Sequence, residues 1–283
     1  MAFNYGNYFS ILKTKSSASG HTPTTKLYSQ LRHYLSTTTA THSSDTPNTY
    51  VILISTGAFC PVHLQHIRLF DAARAHIHAT LPNHYVVAGY ISPSHDDYVR
   101  GKLGENHISA THRIAMANLA VAASEWVDVD AWEAMGVDYF VDFPSVAVEL
   151  RERVREAVLR EGLQVDKERI AVWFLAGADL VVRAGGGFRR LARVGIKTVC
   201  AMRVAPEHGL ISKDNFVDYL KGGFGPEWRN DIVLINEAPV VEEGGMGLSS
   251  TLVRRRLREG GDIDGLVEQQ VAAYLKEHRI LDL

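Results

Sequence analysis

The chain has 283 residues, 46% of them apolar and 22% charged, with a formal net charge of −2. That balance suits one large domain or two small ones with a self-sufficient core, and it lacks the basic excess of a nucleic-acid binder and the like-charge block of a tail. Apolar runs fall far short of the roughly 18 residues a membrane helix needs, and two cysteines, Cys60 and Cys200, suit a reducing compartment without a disulfide framework.

Residues 1–49 stand apart. They are rich in Ser and Thr (STTTATHSSDT) and carry Lys13, Lys15, Lys26 and Arg32 against one acid, Asp45. This composition fits a disordered leader or, loosely, a mitochondrial presequence. The preferred reading is a cytoplasmic or nuclear protein with a partly ordered extension. Tyr5, Tyr8, Phe9, Ile11 and Leu12 could form a short helix packed on the domain, as could Leu27, Leu31, Tyr34 and Leu35.

From residue 50 to 283 one domain alternates strand and helix. Strands are predicted over 50–56, 84–91, 126–130, 170–176, 196–202 and 231–236, and helices over 63–79, 107–124, 143–161, 178–192, 212–221, 249–259 and 264–277. The alternation predicts an α/β fold: a doubly wound parallel sheet with helices on both faces. The Arg- and Glu-dense stretch 151–169 reads as a solvated helix face. Ligands of such sheets sit beyond the carboxyl ends of strands, where the strand order reverses.

Residues 51–66, VILISTGAFCPVHLQH, are the most informative stretch. A buried strand ends at Gly57, where the backbone can turn and expose N–H groups. After Pro61 a helix starts with His63 and His66 on one face of its first turn. Free N–H groups and the positive helix end make an anion site, and phosphate is the expected guest. A Gly after a strand is often only a turn, and paired histidines also suggest zinc. The common zinc spacing is H-x-x-x-H, however, and no Cys or carboxylate stands nearby as a further ligand except Cys60 within the turn, so no metal site is predicted.

Four further segments fall at strand ends. ISPSHDDYVRGKLG (91–104) offers Arg100 and Lys102 in a Gly-flanked loop, a mobile cationic arm or an ordinary charged loop. VDVDAWEA (127–134) places Trp132 and Glu133 after an alternating strand; the Trp either stacks on a flat heterocycle or fills the core. FLAGADLVV (174–182) runs from strand into Gly177 and Asp179, where the Asp caps a helix or accepts from a ribose hydroxyl. LSSTLVRRRL (248–257) opens a helix with Ser249, Ser250 and Thr251, and Arg254 follows Thr251 by three residues on the same face. That arrangement is a capping motif or a second phosphate clamp. Two phosphate cradles in one parallel domain suit a triphosphate, or two phosphates brought together.

GAFCPVHLQH resembles the G-x-F-x-P-x-(H/T)-x-x-H motif of the nucleotidyltransferase superfamily, and LSSTLVR resembles its (I/V)SST-x-x-R motif. ISPSHDDY, THR, VDVDAWE and GADL add a similarity to eukaryotic nicotinamide/nicotinate mononucleotide adenylyltransferases, in matching order over residues 50–278. The resemblance implies a Rossmann-like sheet of the nucleotidyltransferase type with a small C-terminal helical portion. It implies adenylyl transfer from ATP to nicotinamide or nicotinate mononucleotide, with Mg²⁺ accompanying ATP, no nucleic acid or membrane, and a homo-oligomer as an open option.

By the same resemblance, Gly57, Ala58 and Phe59 would approach the phosphates through their backbone. His66 and His63 would contact the ATP phosphates, and Arg100 or Lys102 would add a cation. Trp132 would stack near the pyridine ring with Glu133 beside it. Gly177 and Asp179 would hold the adenosine ribose, Arg203 would sit near the site, and Ser249, Ser250, Thr251 and Arg254 would grip the β- and γ-phosphates. Three departures stand out: Cys60 replaces the usual Asn, GKLG replaces the family's KK(K/x)GL, and AGGGFRRLARVG holds only Phe188 where a second stacking Trp is usual. Two other readings are a transferase for another phosphorylated acceptor (phosphocholine, phosphopantetheine or a flavin-type substrate) and a nucleotide-binding protein weakened in catalysis.

Overall fold

The computed structural model describes residues 22–38, 47–203, 213–237 and 247–281. Six strands, β1 (Thr49–Gly57), β2 (His84–Pro93), β3 (Val127–Val129), β4 (Ile170–Gly177), β5 (Thr198–Arg203) and β6 (Ile232–Glu237), form one parallel sheet in the order β3-β2-β1-β4-β5-β6. The helices, in chain order, are α1 (Thr25–Thr38), α2 (Leu64–Thr80), α3 (Asp96–Leu103), α4 (Ala110–Ala120), α5 (Trp132–Met135), α6 (Phe143–Arg160), α7 (Ala178–Arg183), α8 (Gly185–Arg193), α9 (Lys213–Phe224), α10 (Ser250–Arg258) and α11 (Gln269–Glu277). The doubly wound parallel α/β sheet expected from the alternation is the fold the chain adopts.

The central strand explains the two layers. β1 reads TYVILISTG, and its alternate residues serve opposite cores. Val51 and Leu53 pack with Phe70, Met116, Val253 and Val271; Tyr50, Ile52 and Ile54 pack with Leu27, Leu150, Phe188 and Phe216. Full burial of each such aliphatic side chain contributes about 1.5–3 kcal/mol. The chain steps from β1 out to β2 and β3, then returns through α6 to β4 on the other side of β1. The order therefore reverses between β1 and β4, where a crevice opens. Gly57 and Gly177 end these strands, each three residues beyond the Ile54–Phe174 pair.

Several elements differ from the sequence expectation. Residues 96–103 form a helix, not a mobile loop, so Arg100 and Lys102 sit in the last turn of α3. Asp96 and Asp97 in its first turn and the two cations in its last complement the helix dipole; His95 Nδ1 accepts the Asp97 N–H at 3.2 Å, and Gly104 at φ 55° ends it. The helix predicted over 178–192 is two, α7 and α8. Its three glycines allow close packing: a Cβ on Gly185 would lie 2.3 Å from the Tyr219 hydroxyl, and one on Gly187 2.4 Å from the Phe143 ring. The helix predicted from 264 starts only at Gln269, after a turn bridged between Asp264 and Val267. The four-residue α5 was not anticipated.

α1 belongs to the packed body. Leu27 and Leu31 are buried, Lys26 Nζ donates to the Val127 carbonyl at 2.6 Å, and Tyr28 Oη donates to the Ala157 carbonyl at 3.0 Å. Tyr90 Oη donates to the Pro23 carbonyl at 2.7 Å. The helix expected around Tyr5–Leu12 lies outside the described residues. No helix among the described residues is long and apolar enough to cross a membrane.

Candidate active site

The first wall of the crevice is the turn after β1. Phe59 adopts φ 42°, a conformation rare for a bulky residue, and the Cys60–Pro61 peptide is cis. His63 takes the N-cap position of α2 with extended backbone, and His66 is the third helical residue. His66 Nδ1 accepts the His63 N–H at 3.1 Å, and the two rings stack at 3.6 Å between centroids. The Phe59 ring meets the His66 ring edge-on at 4.9 Å. Both imidazoles are thus fixed at the positive end of a 17-residue helix, as an anion site requires.

The opposing wall is the start of α10. Ser249 caps it, its Oγ accepting the Leu252 N–H at 3.2 Å. Ser250 and Arg254 reach across to the first wall. Ser250 Oγ donates to the Pro61 carbonyl at 2.8 Å, and Arg254 donates to the Cys60 carbonyl at 2.7 Å and to Thr251 Oγ1 at 3.2 Å. Segments some 190 positions apart in sequence are therefore fastened together. Beside them lies a cavity of about 280 Å³ lined by Asn106, Thr251, Arg254, Arg255, Arg258 and Glu259. Burial lowers the pKa of the Arg254 guanidinium; the nearby Cys60 opposes that and the like charge of Arg258 adds to it. Such clustered guanidinium groups favour an anion between them.

The other expected site residues are placed unevenly. Gly177 is the N-cap of α7, and Asp179 is exposed in that helix's first turn. Asp179 therefore does not cap the helix. Arg100 and Lys102 are exposed on α3, with Lys102 Nζ 5.7 Å from the Tyr98 ring centroid. Arg203 ends β5, and its side chain lies outside the described residues. Trp132 departs from the stacking expectation. Its ring is 2% exposed and has the Arg153 guanidinium 5.1 Å from its centroid, because α5 tucks against β2 and the second core layer. Phe188, too, is a core residue, 4.9 Å from Phe143 and 5.7 Å from Phe174, and offers no free face.

Glu133 is buried beside Trp132, its Oε1 accepting the His95 N–H at 3.1 Å. Burial lifts its pKa to about 8; the His95 N–H, the Ser94 hydroxyl and the Arg113 charge pull weakly the other way, and Asp130 adds to the rise. A carboxyl raised in the fold from 4.5 is protonated in the fold but ionised in the unfolded chain between pH 4.5 and 8. Its contribution to stability is intact below pH 4.5 and is lost as pH climbs to about 8, by at most about 5 kcal/mol. Glu133→Gln, which keeps the acceptor for His95, is expected to match the parent in urea unfolding at pH 5 and exceed it by a few kcal/mol at pH 8.5. Parallel pH profiles of the two chains would rule this out.

Cys60 is buried in the turn after β1, its Sγ 3.5 Å from the Asn106 carbonyl. Burial pushes its thiol pKa up, against the Ile108 backbone and the charges of Arg254 and Arg113. It is a packing residue rather than a reactive thiolate. Among the described residues no group of three His, Cys, Asp or Glu side chains could hold a metal ion. One residue that sequence reasoning did not assign to the site is Arg113. It sits on the inner face of α4 with Ala110, Met116, Ala117 and Ala120, fully buried, and it donates to the Ala58 carbonyl in the turn after β1 at 3.0 Å. The available signal was an arginine interrupting an apolar helix stripe.

A cytidylyltransferase-like family model matches residues 54–256, which span both walls of the crevice. The nicotinamide/nicotinic acid mononucleotide adenylyltransferase of Arabidopsis thaliana is 27% identical over 245 residues, 84% of this chain and 92% of that one. The Xenopus tropicalis nicotinamide/nicotinic acid mononucleotide adenylyltransferase 2 is 43% identical over 90 residues, 32% of this chain and 28% of that one. A solved structure of Plasmodium falciparum nicotinic acid mononucleotide adenylyltransferase complexed with NaAD superposes with TM-score 0.52 at 14% identity, covering 82% of this chain and 97% of that one. That likeness concerns the fold.

Proposed function

The chain belongs to the cytidylyltransferase-like family, and we propose that it transfers the adenylyl group of ATP to nicotinamide or nicotinate mononucleotide, giving NAD or deamido-NAD and pyrophosphate. One observation carries the reading. The SSTxxR helix start is bonded to the turn that leads into the HxxH helix, through Ser250 to Pro61 and Arg254 to Cys60. Two positive helix ends facing one crevice suit a triphosphate better than a single phosphate. Relatives named for this reaction cover most of the chain.

In the proposed reaction a phosphate oxygen of the acceptor attacks the α-phosphorus of ATP in line. The bond from that phosphorus to the bridging oxygen breaks, and pyrophosphate leaves. The acceptor phosphate is already anionic, so the protein needs no strong general base. Its work is positioning and neutralising charge. His63 and His66 face the triphosphate from the end of α2, and Ser249, Ser250, Thr251 and Arg254 hold its β- and γ-phosphates. Mg²⁺ enters as part of the ATP complex, held by phosphate oxygens and water, and offsets phosphate charge.

The test mixes the protein with ATP, Mg²⁺ and either nicotinamide or nicotinate mononucleotide. Dinucleotide and pyrophosphate are expected to form in equal amounts. The same assay with phosphocholine, phosphopantetheine and a flavin mononucleotide checks the acceptor. Product from one of those alone would move the assignment to that acceptor, and pyrophosphate release with none would refute adenylyl transfer.

A further inference from the structure

Arg113 is fully buried, yet most of its hydrogen bonds go to carbonyl oxygens and not to acids. Nε donates to Ile108 at 2.9 Å, Nη1 to Ala58 at 3.0 Å, and Nη2 to Ser94 at 2.7 Å and to Asp96 Oδ1 at 2.8 Å. A buried cation is a poor way to gain stability, since desolvation offsets its attractions and apolar packing does as well. This one ties together three segments at the carboxyl ends of β1 and β2: the turn after β1, the residue after β2 and the start of α3.

Peptide planarity gives those bonds a consequence. In a trans peptide the carbonyl and the next residue's N–H point in opposite directions. The Ser94–His95 peptide illustrates it: the Ser94 carbonyl faces Arg113 while the His95 N–H faces away and donates to Glu133. At the Ala58–Phe59 peptide the Ala58 carbonyl likewise faces Arg113. The Phe59 N–H therefore points away from α4. Phe59 also sits at φ 42°, a conformation that persists only where its surroundings over-determine it. The cation further polarises the peptide it holds and strengthens that N–H as a donor.

We infer that Arg113 is a positioning residue of the phosphate turn: by holding the Ala58 carbonyl it fixes Phe59 in its left-handed conformation and presents the Phe59 N–H to the triphosphate. The identity of the anion rests on the proposed adenylyl transfer; the orientation of the peptide does not. Arg113 acts through the turn and touches no substrate.

Two measurements test this. In the wild-type chain labelled with ¹⁵N-phenylalanine, the Phe59 amide resonance, assigned by its loss in Phe59→Leu, is expected to shift on adding MgATP or inorganic pyrophosphate. An unmoved resonance at saturating MgATP overturns the inference. In variants, turnover is measured per folded molecule, with the folded fraction taken from circular dichroism. Arg113→Ala is expected to lose about 100-fold in kcat, the scale of an ångström-sized misplacement, and Arg113→Lys about 10-fold. Millimolar guanidinium, but not the neutral isostere urea, is expected to restore part of the Ala variant's rate.

Asp96→Asn keeps the three carbonyl bonds, so it is expected to lose stability but stay within threefold of wild-type turnover. An Arg113→Ala chain within threefold of wild type per folded molecule reduces the residue to structural packing. If that variant does not fold, the Lys variant and the wild-type amide decide. A wild-type chain that makes no dinucleotide counts against the proposed function, and the pyrophosphate-dependent amide shift still judges Arg113.

Discussion

His66→Ala is expected to lower kcat by about 10²–10⁴-fold while the chain stays folded. In the proposed reaction, negative charge gathers on the oxygen between the α- and β-phosphorus as that bond breaks. The Nε2–H of the His66 ring, whose Nδ1 accepts the His63 N–H, donates to that oxygen and meets charge that exists mainly in the transition state, so the loss falls on kcat and not on the KM of ATP. The ring is well placed for this duty, held between His63 at 3.6 Å and the Phe59 edge at 4.9 Å. Its structural contribution is smaller. Losing the acceptor for the His63 N–H is a capping loss of about 0.5–2 kcal/mol, against the roughly 5–15 kcal/mol typical of a folded domain. His66→Asn separates the two roles: an Asn oxygen can accept from the His63 N–H, but the shorter amide places no donor where the His66 Nε2–H stands. It is expected to melt near wild type and to turn over as slowly as His66→Ala. The measurements are pyrophosphate release at saturating ATP and acceptor, and thermal melts of all three chains. A fully active His66→Asn would make His66 a helix cap and nothing more.

Legibility from sequence followed how local each signal was. β1 and its turn could be read because VILI, Gly57, Pro61 and the two histidines are contiguous, and strand, turn and helix start are each set by near neighbours. The start of α10 was equally local, with three hydroxyl residues and an Arg three positions beyond Thr251. What no window shows is that Arg254 reaches back to Cys60, or that Arg113 reaches Ala58 and Ser94 at once. Those bonds follow from strand order. Gly101 and Gly104 suggest a loop for residues 96–103, whereas the charge pattern of that stretch suits the dipole of the short helix it forms. Trp132 was ambiguous for a related reason. An aromatic at a strand end can face ligand or core, and the choice here is made by Arg153 from α6, which also pairs with Asp130 at 2.9 Å.

Arg254→Ala is expected to cut kcat/KM for ATP by about 10²–10³-fold, the scale of a lost charge-assisted contact in a dry site. The guanidinium has two duties. Toward the fold it donates to the Cys60 carbonyl and to Thr251 Oγ1, pinning the turn after β1 to α10. Toward the ligand it lines the cavity that also holds Arg255 and Arg258. Removing it leaves a buried carbonyl without that donor, a loss of about 1–3 kcal/mol in stability. Arg254→Lys keeps the charge, but one ammonium lacks the planar fork needed to reach both oxygens and a phosphate together. Its loss is expected to lie between wild type and the Ala variant. Pyrophosphate inhibition distinguishes the duties, because the leaving group occupies the subsite assigned to Arg254 whichever acceptor is used. If Arg254 grips the β- and γ-phosphates, the inhibition constant for pyrophosphate rises at least tenfold in the Ala variant and less in the Lys variant. If Arg254 only fastens the turn, both variants lose stability in a denaturant titration while pyrophosphate inhibits them as it does the parent.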